Sequence, residues 1–318
     1  MLFSNRLANL MPGVDLAVCD VGRPDGSAIE AYRCVPSGKP PGRGPVMVLL
    51  HGSGASSVFP RIDEAFAVPF LFSAIRRVLD TWNVLLVEKR GVRLGDAAGG
   101  GFEGCSQDYI EHATRQDRTD DVSRVIDEIA ASDFYDGSAL LVIGSSEGAA
   151  IAAAAAADTA KVTNVGLFGL GAGHGLFDSM MALRGEWERG DLPAEEFVQQ
   201  YDWLVGTFRE IREDPDSTTK AFYGHTYRRW ASYWLRPGLE DLLAIEVPIF
   251  LGIATLDNPV ATDWLVAGFV RAGKTNLTYR NYMGCDHGYF KQDDGSAACR
   301  HDEVLSDVLA WVGQAGLK

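Results

Sequence analysis

The sequence predicts a doubly wound, mostly parallel α/β sheet with an inserted helical cap. Three features support this. Six short apolar runs recur along the chain, each long enough for a buried strand. They alternate with helical or loop sequence. Between the fourth and fifth runs lie some 70 residues, Gly171–Glu240, with helical periodicity of their own. Strands covered by helices on both faces read as continuous apolar stretches. Their alternation with helices marks a doubly wound sheet.

Taken in order, residues 1–45 hold two β-leaning pieces, Leu16–Cys19 and Ile29–Cys34, and end in the Pro/Gly loop Pro36–Pro45. They read as an antiparallel opening. The apolar runs follow: Val46–Leu50, Val84–Val87, Leu140–Ile143, Val165–Phe168, Ile249–Ile253 and Leu277–Tyr282. Inside the interruption, Phe197, Tyr201, Leu204, Val205, Phe208 and Ile211 fall on one face of a helix, with Pro193 suited to its first turn. Tyr223, Tyr227, Trp230 and Trp234 continue the stripe. Gly175–Leu239 therefore reads as a helical cap over the carboxyl edge of the sheet. The expected division is a core of 1–170 and 241–318 with a cap insertion at 171–240. A helix at Asp302–Val312 closes the chain, with Val304, Val308, Leu309 and Trp311 apolar.

Composition narrows the class. The 318 residues are 47% hydrophobic and 23% charged, which excludes a disordered or fibrous chain. A chain of this length can bury a core without disulfide or metal staples. The net charge of −14 argues against nucleic acid or an anionic membrane as partner. The five cysteines, Cys19, Cys34, Cys105, Cys285 and Cys299, are odd in number and lack a CxxC spacing. They read as small, mostly buried thiols. Met1–Leu10 has no continuous apolar segment of the signal-peptide kind. The longest apolar run, Ala149–Ala157, is far short of the roughly 18 residues that span a bilayer. A reduced cytoplasmic setting is expected, so the sequon Asn276-Leu277-Thr278 carries no meaning.

The strongest chemical signal is Leu140-Leu141-Val142-Ile143-Gly144-Ser145-Ser146-Glu147-Gly148-Ala149. An apolar strand runs into Gly-x-Ser-x-Gly and then an Ala-rich helix, the order a nucleophile elbow requires. Ser146 is the candidate nucleophile. Gly144 and Gly148 leave room for the turn, and the helix N-terminus supplies partial positive charge to a forming oxyanion. The run Val46–Leu50 leads into His51-Gly52-Ser53-Gly54, the form of an oxyanion loop. The backbone N–H groups of Ser53 and Glu147 are the candidate oxyanion donors, and His51 reads as a structural residue pinning the loop. Downstream, Ala254-Thr255-Leu256-Asp257-Asn258-Pro259-Val260 follows one strand, and Met283-Gly284-Cys285-Asp286-His287-Gly288 follows the next. Asp257 is placed to orient His287, and His287 to act as base on Ser146. Asp286 and Asp178 are weaker candidates for the acid. His112, His174, His225 and His301 read as surface or structural.

Other features weigh less. The aromatic block Phe222, Tyr223, Tyr227, Trp230, Tyr233 and Trp234 reads first as a packed cap core. Tyr227, Trp230 and Trp234 are also candidates to line a substrate pocket. Arg115–Asp121 reads as a solvated helix face. Gly99-Gly100-Gly101 reads as a flexible loop, with no Lys-Ser/Thr pair to make it a phosphate loop. The Glu147 carboxylate beside an oxyanion site calls for neutralisation, with Arg90 or Lys89 the expected cation and a substrate amine the alternative.

From these residues the chain resembles the α/β-hydrolase superfamily over most of 46–315. Val247-Pro248-Ile249-Phe250 with Asp257, Gly273-Lys274-Thr275-Asn276-Leu277-Thr278-Tyr279, and Asp286-His287-Gly288 are similar to the prolyl-oligopeptidase and dienelactone-hydrolase-like branch. Glu88-Lys89-Arg90-Gly91 is similar to the acidic–x–Arg–Gly turn of many members. The resemblance implies a Ser146–His287–Asp257 triad with oxyanion N–H groups at Ser53 and Glu147. Two departures stand out. Only about 45 residues precede the matching region, too few for the propeller that gates endopeptidases of that branch. The nucleophile is Ser146 where a dienelactone hydrolase has cysteine.

The activity expected is hydrolysis of a carboxylic ester through an acyl-enzyme, with no metal or organic cofactor. The alternatives are a small serine peptidase, amidase or acyltransferase on the same triad, or a non-catalytic binder on this fold. The expected partner is a small-molecule ester or amide.

Overall fold

The computed structural model describes residues 3–39, 42–97, 104–171, 175–235, 238–257, 259–293 and 296–315. His174, Asn258 and Gly99–Gly101 lie outside them.

Among the described residues the central sheet has nine strands: β1 (Phe3–Met11), β2 (Val14–Gly22), β3 (Ala28–Pro36), β4 (Gly44–Leu50), β5 (Asn83–Val87), β6 (Tyr135–Ser145), β7 (Asn164–Phe168), β8 (Ile249–Ala254) and β9 (Leu277–Tyr282). Their spatial order is β1-β2-β3-β5-β4-β6-β7-β8-β9. The first three strands and the β3–β5 pair are antiparallel, and β5 through β9 are parallel. This is the expected sheet. Each of the six apolar runs lies within one strand.

The helices are α1 (Phe72–Ile75), α2 (Gln107–His112), α3 (Arg115–Ala130), α4 (Glu147–Asp158), α5 (Gly175–Glu188), α6 (Ala194–Glu213), α7 (Tyr227–Trp234), α8 (Gly238–Ala244), α9 (Pro259–Arg271) and α10 (His301–Ala315). They cover both faces of the sheet. Val46, Val48 and Leu50 of β4 point into a core shared with α3, α4, α8 and α9. Met47 and Leu49 point the other way, against α1 and α10. A strand's two-residue period thus divides one apolar run between two cores.

Helices α5 to α7 stand between β7 and β8 in the chain, in the interruption read from the sequence. Their apolar residues form a separate cluster of Leu204, Ile211, Phe222, Tyr227, Ala231 and Trp234. The aromatic stripe does not reach Tyr223 as a helix. Tyr223 and Gly224 both have positive φ, 44° and 72°, and turn a small hairpin, so α7 begins only at Tyr227.

Arg115–Asp121 is not a solvated face. Arg115, Arg118, Thr119 and Asp121 are buried. Arg115 pairs with Asp241 of α8, and Asp121 takes both prongs of Arg23 at 2.7 Å. The charges are tolerated inside because each has a partner.

Candidate active site

Ser146 joins β6 to α4 at φ 56° and ψ −125°, a strained conformation for a residue with a side chain. The turn is held from both sides. Ser146 N–H donates to the Phe168 carbonyl of β7 at 2.8 Å, and the Ser146 carbonyl accepts from Ala149 N–H at 2.9 Å. A Cβ on Gly144 would strike the Gly148 carbonyl, and one on Gly148 would strike the Leu50 and His51 carbonyls. The two glycines therefore let α4 pack directly on β6 and on the end of β4.

The loop after β4 runs against this turn. Gly52 is so near that a Cβ on it would sit 3.2 Å from Ser146 Cβ. Ser53, the next residue, is exposed. His51 bonds through Nε2 to the Ser56 carbonyl at 3.2 Å. Burial, with Lys89 and Arg118 beside it, pushes its pKa far down, so the ring stays neutral. It pins the loop, as its position in the sequence suggested.

His287 and Asp257 meet. His287 Nδ1–H donates to Asp257 Oδ2 at 2.8 Å. That bond raises the imidazole pKa above the ordinary 6.5; burial opposes the rise, and the Asp257 charge adds to it. The ring stands over Gly169, where a Cβ would lie 2.9 Å from His287 Cε1. Gly169 follows Phe168, the residue that accepts the Ser146 N–H. His287 and Ser146 therefore flank the same end of β7, and no hydrogen bond joins their side chains in this structure. Catalytic hydrogen bonds are often long without substrate.

Asp286 has a different task. Its Oδ1 accepts the N–H groups of Gly288 and Phe290, each at 3.0 Å, and so folds the histidine loop. Below it, Tyr289 OH donates to the Gly252 carbonyl at 2.7 Å, and His301 Nε2 bonds the Gly288 carbonyl at 2.8 Å. Asp178 sits in the first turn of α5 against Gly171. His225 lies edge-on to Trp230.

The Glu147 carboxylate is neutralised chiefly by two arginines that were not the expected candidates; of those candidates Lys89 adds its charge from close by and Arg90 does not. Arg118 of α3 and Arg229 of α7 each grip one of its oxygens. Burial opposes ionisation, yet Arg229, Arg118 and Lys89 together hold the carboxyl well below the usual range. Lys89 is close but donates to the Gly54 carbonyl. Arg90 is committed to Asp108 at 2.7 Å and Asp25 at 2.8 Å.

Of the three candidate pocket residues, Trp234 borders a cavity of about 420 Å³ with Leu176, Phe177, Met180, Phe208 and Trp264. Trp230 and Tyr227 brace the insertion. Trp230 Nε1–H donates to the Phe222 carbonyl at 2.6 Å, and Tyr227 OH donates to Glu210 at 2.8 Å. Phe177 and Trp264 went unnoticed in the sequence, where neither belongs to a motif. Among the described residues no cluster of His, Cys, Asp or Glu is arranged to hold a metal ion, and no helix is long and apolar enough to cross a membrane.

A parallel sheet with a strand–serine–helix elbow at its centre, and a histidine–aspartate pair on the loops after its last two strands, is an α/β-hydrolase architecture. The alpha/beta hydrolase family model matches residues 47–298, and the chain belongs to that family. Its fold is similar to that of acetyl xylan esterase 1 from Thermoanaerobacterium sp. JW/SL YS485 (TM-score 0.57, 13% identity, 98% of this chain and 86% of that one). It is also similar to a puromycin-hydrolyzing peptidase of Mycobacterium tuberculosis (TM-score 0.59, 16% identity), covering 95% of this chain and 39% of the peptidase. A third likeness is to 2,6-dihydroxy-pseudo-oxynicotine hydrolase (TM-score 0.55, 16% identity, 95% of this chain and 67% of that one). At these identities the likeness is one of fold. No curated protein sequence matches the chain significantly.

Proposed function

We propose that the protein is a serine hydrolase that cleaves a carboxylic ester of a small molecule through an acyl-enzyme. The observation that carries the reading is the meeting at the end of β7. The strained Ser146 turn bonds Phe168, and the Asp257-oriented His287 ring stands over Gly169.

In this reading His287 Nε2 takes the Ser146 proton as Oγ attacks the ester carbonyl. Asp257 fixes the tautomer with the proton on Nδ1 and stabilises the imidazolium that forms. The N–H groups of Ser53 and Glu147 bind the oxyanion, aided by the N-terminus of α4. The imidazolium then protonates the leaving alcohol, and water repeats the sequence to free the acid. Neither step calls for a metal or an organic cofactor. We assign the apolar part of the substrate to the 420 Å³ cavity, within the usual size of small-molecule sites. Its walls α5 and α9 follow the strand ends that carry Gly169 and Asp257. Helices α5 to α7 then act as the cap.

The test is labelling by a fluorophosphonate, followed by Ser146→Ala. Labelling at Ser146 is expected, and the variant should lose on the order of 10⁶ in turnover with an unchanged melt. Persistent turnover in a folded Ser146→Ala protein would remove the reading. A panel of esters, lactones and aminoacyl amides run on the wild type separates esterase from amidase action.

A further inference from the structure

The proposed oxyanion hole needs two loops held in register: the one after β4, with Ser53, and the start of α4, with Glu147. Both are tied to one buried cluster. Arg118 serves the two at once, donating through Nη1 to Glu147 Oε1 and through Nη2 to the His51 carbonyl at 2.5 Å. Lys89, at the end of β5, donates to the Gly54 carbonyl. Ser53 therefore lies between two carbonyls that buried cations hold. The second Glu147 oxygen belongs to Arg229, with Nε at 3.1 Å and Nη2 also bonded. The side chains of Arg118, Arg229 and Glu147 are 10%, 7% and 9% exposed. The space left beside Lys89, Arg118 and Glu147 is about 10 Å³, room for one water at most. The carboxylate thus meets protein cations and not substrate.

Arg229 comes from the insertion. Its helix, α7, starts on Thr226, whose Oγ1 accepts the Arg229 N–H at 3.2 Å. The same helix is seated on α2 and α3. Arg115 N–H donates to Ser232 Oγ at 3.0 Å, and Arg228 Nη1 donates to the Glu111 carbonyl at 3.3 Å. Any movement of α7 off that seat pulls on the carboxylate of the residue that follows the nucleophile.

We propose that Arg118 and Arg229 are positioning residues for the oxyanion hole: by gripping opposite oxygens of Glu147 they set the spacing of the two donor loops, and through Arg229 that spacing follows the seat of α7. The inference rests on the serine-hydrolase reading. A carboxylate held on both oxygens cannot swing. One held by Arg118 alone can turn about its side-chain torsions, and it then no longer braces the start of α4 against the loop after β4 and α7. A misplacement of about 1 Å in such a site costs on the order of 10² in rate.

The experiment compares the full-length wild type with Arg229→Gln and Arg229→Lys. It reads fluorophosphonate labelling, kcat and KM on p-nitrophenyl butyrate, and inhibition by a trifluoromethyl ketone, whose serine adduct carries an oxyanion. The matching secondary alcohol, which forms no adduct, is the control. In Arg229→Gln, kcat should fall on the order of 10² with KM little changed. Affinity for the ketone should weaken in step, and affinity for the alcohol should hold. Arg229→Lys, which keeps the charge and loses the two-pronged grip, should fall between. Should Arg229→Gln not fold, Arg229→Lys carries the same comparison. A folded variant with wild-type kcat and ketone affinity overturns the inference, as does one altered only in KM. A wild type that the fluorophosphonate does not label overturns the serine-hydrolase reading and the inference with it. Labelling with unaltered variant kinetics overturns the inference alone.

Discussion

Replacing Asp257 by Asn should cripple catalysis, whereas replacing Asp286 by Asn should barely touch it. The two carboxylates are neighbours of the same histidine but face different groups. Asp257 Oδ2 accepts the imidazole N–H at 2.8 Å, and in the proposed mechanism the second proton that His287 would gain in the transition state needs a negative partner there. An amide can accept the bond but supplies no charge, and its NH₂ favours the wrong tautomer. Loss of such a carboxylate costs about 10⁴ in kcat, or about 5 kcal/mol of transition-state stabilisation. Asp286 uses one oxygen, Oδ1, for two backbone N–H groups. The carbonyl oxygen of Asn keeps both. The pH profile adds a second reading. As the proposed base His287 would act only when neutral, and its pKa is raised above 6.5, first because of the hydrogen bond its Nδ1–H donates to Asp257. Wild-type kcat/KM should therefore fall as pH drops through a midpoint above 6.5. In Asp257→Asn the raised pKa is lost, and the acid limb should move to lower pH even as the plateau drops. The assay is kcat/KM on an activated ester across pH 5–9, with melts recorded alongside. A larger loss in Asp286→Asn than in Asp257→Asn, or an acid limb that stays put in Asp257→Asn, would refute the assignment.

Gly148→Ala sets two effects against each other. Helix propensity alone favours alanine by about 1 kcal/mol, but the added Cβ meets the Leu50 carbonyl at the end of β4 and the His51 carbonyl just beyond it. Backbone has nowhere to go, so a loss of about 3 kcal/mol or more is expected in urea melts, and a stabilised protein would contradict the packing described. Trp264→Ala should open the wall of the 420 Å³ cavity with little effect on the melt, since Trp264 is 50% exposed. The ratio of octanoyl to acetyl ester kcat/KM should shift by about tenfold, and an unchanged ratio would take the cavity out of substrate binding.

The sheet was legible because burial on both faces leaves an unbroken apolar run, and β4 to β8 each carry one. The positions of Ser146, Asp257 and His287 at strand ends were legible because each sits at a fixed place relative to such a run. What could not be read was the company of the charged residues. Arg115, Arg118 and Asp121 look like a solvated face because polarity in sequence does not reveal a partner in space. Their partners, Asp241, Glu147 and Arg23, lie 126, 29 and 98 residues away. For the same reason the cation for Glu147 was sought on the nearest strand end, at Lys89 or Arg90. Arg229, 82 residues downstream, carries no motif, and only the path of the insertion brings it back to the elbow. Tyr223 fits the helical stripe by spacing, but Gly224 with positive φ imposes a turn that spacing does not report.

A glutamate next to the proposed nucleophile looks like an error in a site that would have to gather negative charge. Its surroundings give it a different character. Two guanidiniums grip this one carboxylate, with the Lys89 amine, shared with Glu88, beside them, so the groups in direct contact at the start of α4 sum to a positive charge. Buried charges interact strongly because little water screens them. Burial also depresses the Lys89 pKa, and Arg118 beside it adds to that, while Glu147 opposes the fall. The two arginines therefore keep the excess positive even where Lys89 is neutral. Without Glu147 they would stand buried and unpaired, which costs about 3–5 kcal/mol when one partner of such a pair is removed. The carboxylate thus permits two cations to sit behind the proposed oxyanion site. Glu147→Gln should accordingly destabilise the fold by about that amount, measured in urea. A neutral or stabilising effect would mean that Arg118 and Arg229 are solvated in solution and that the cluster is not closed.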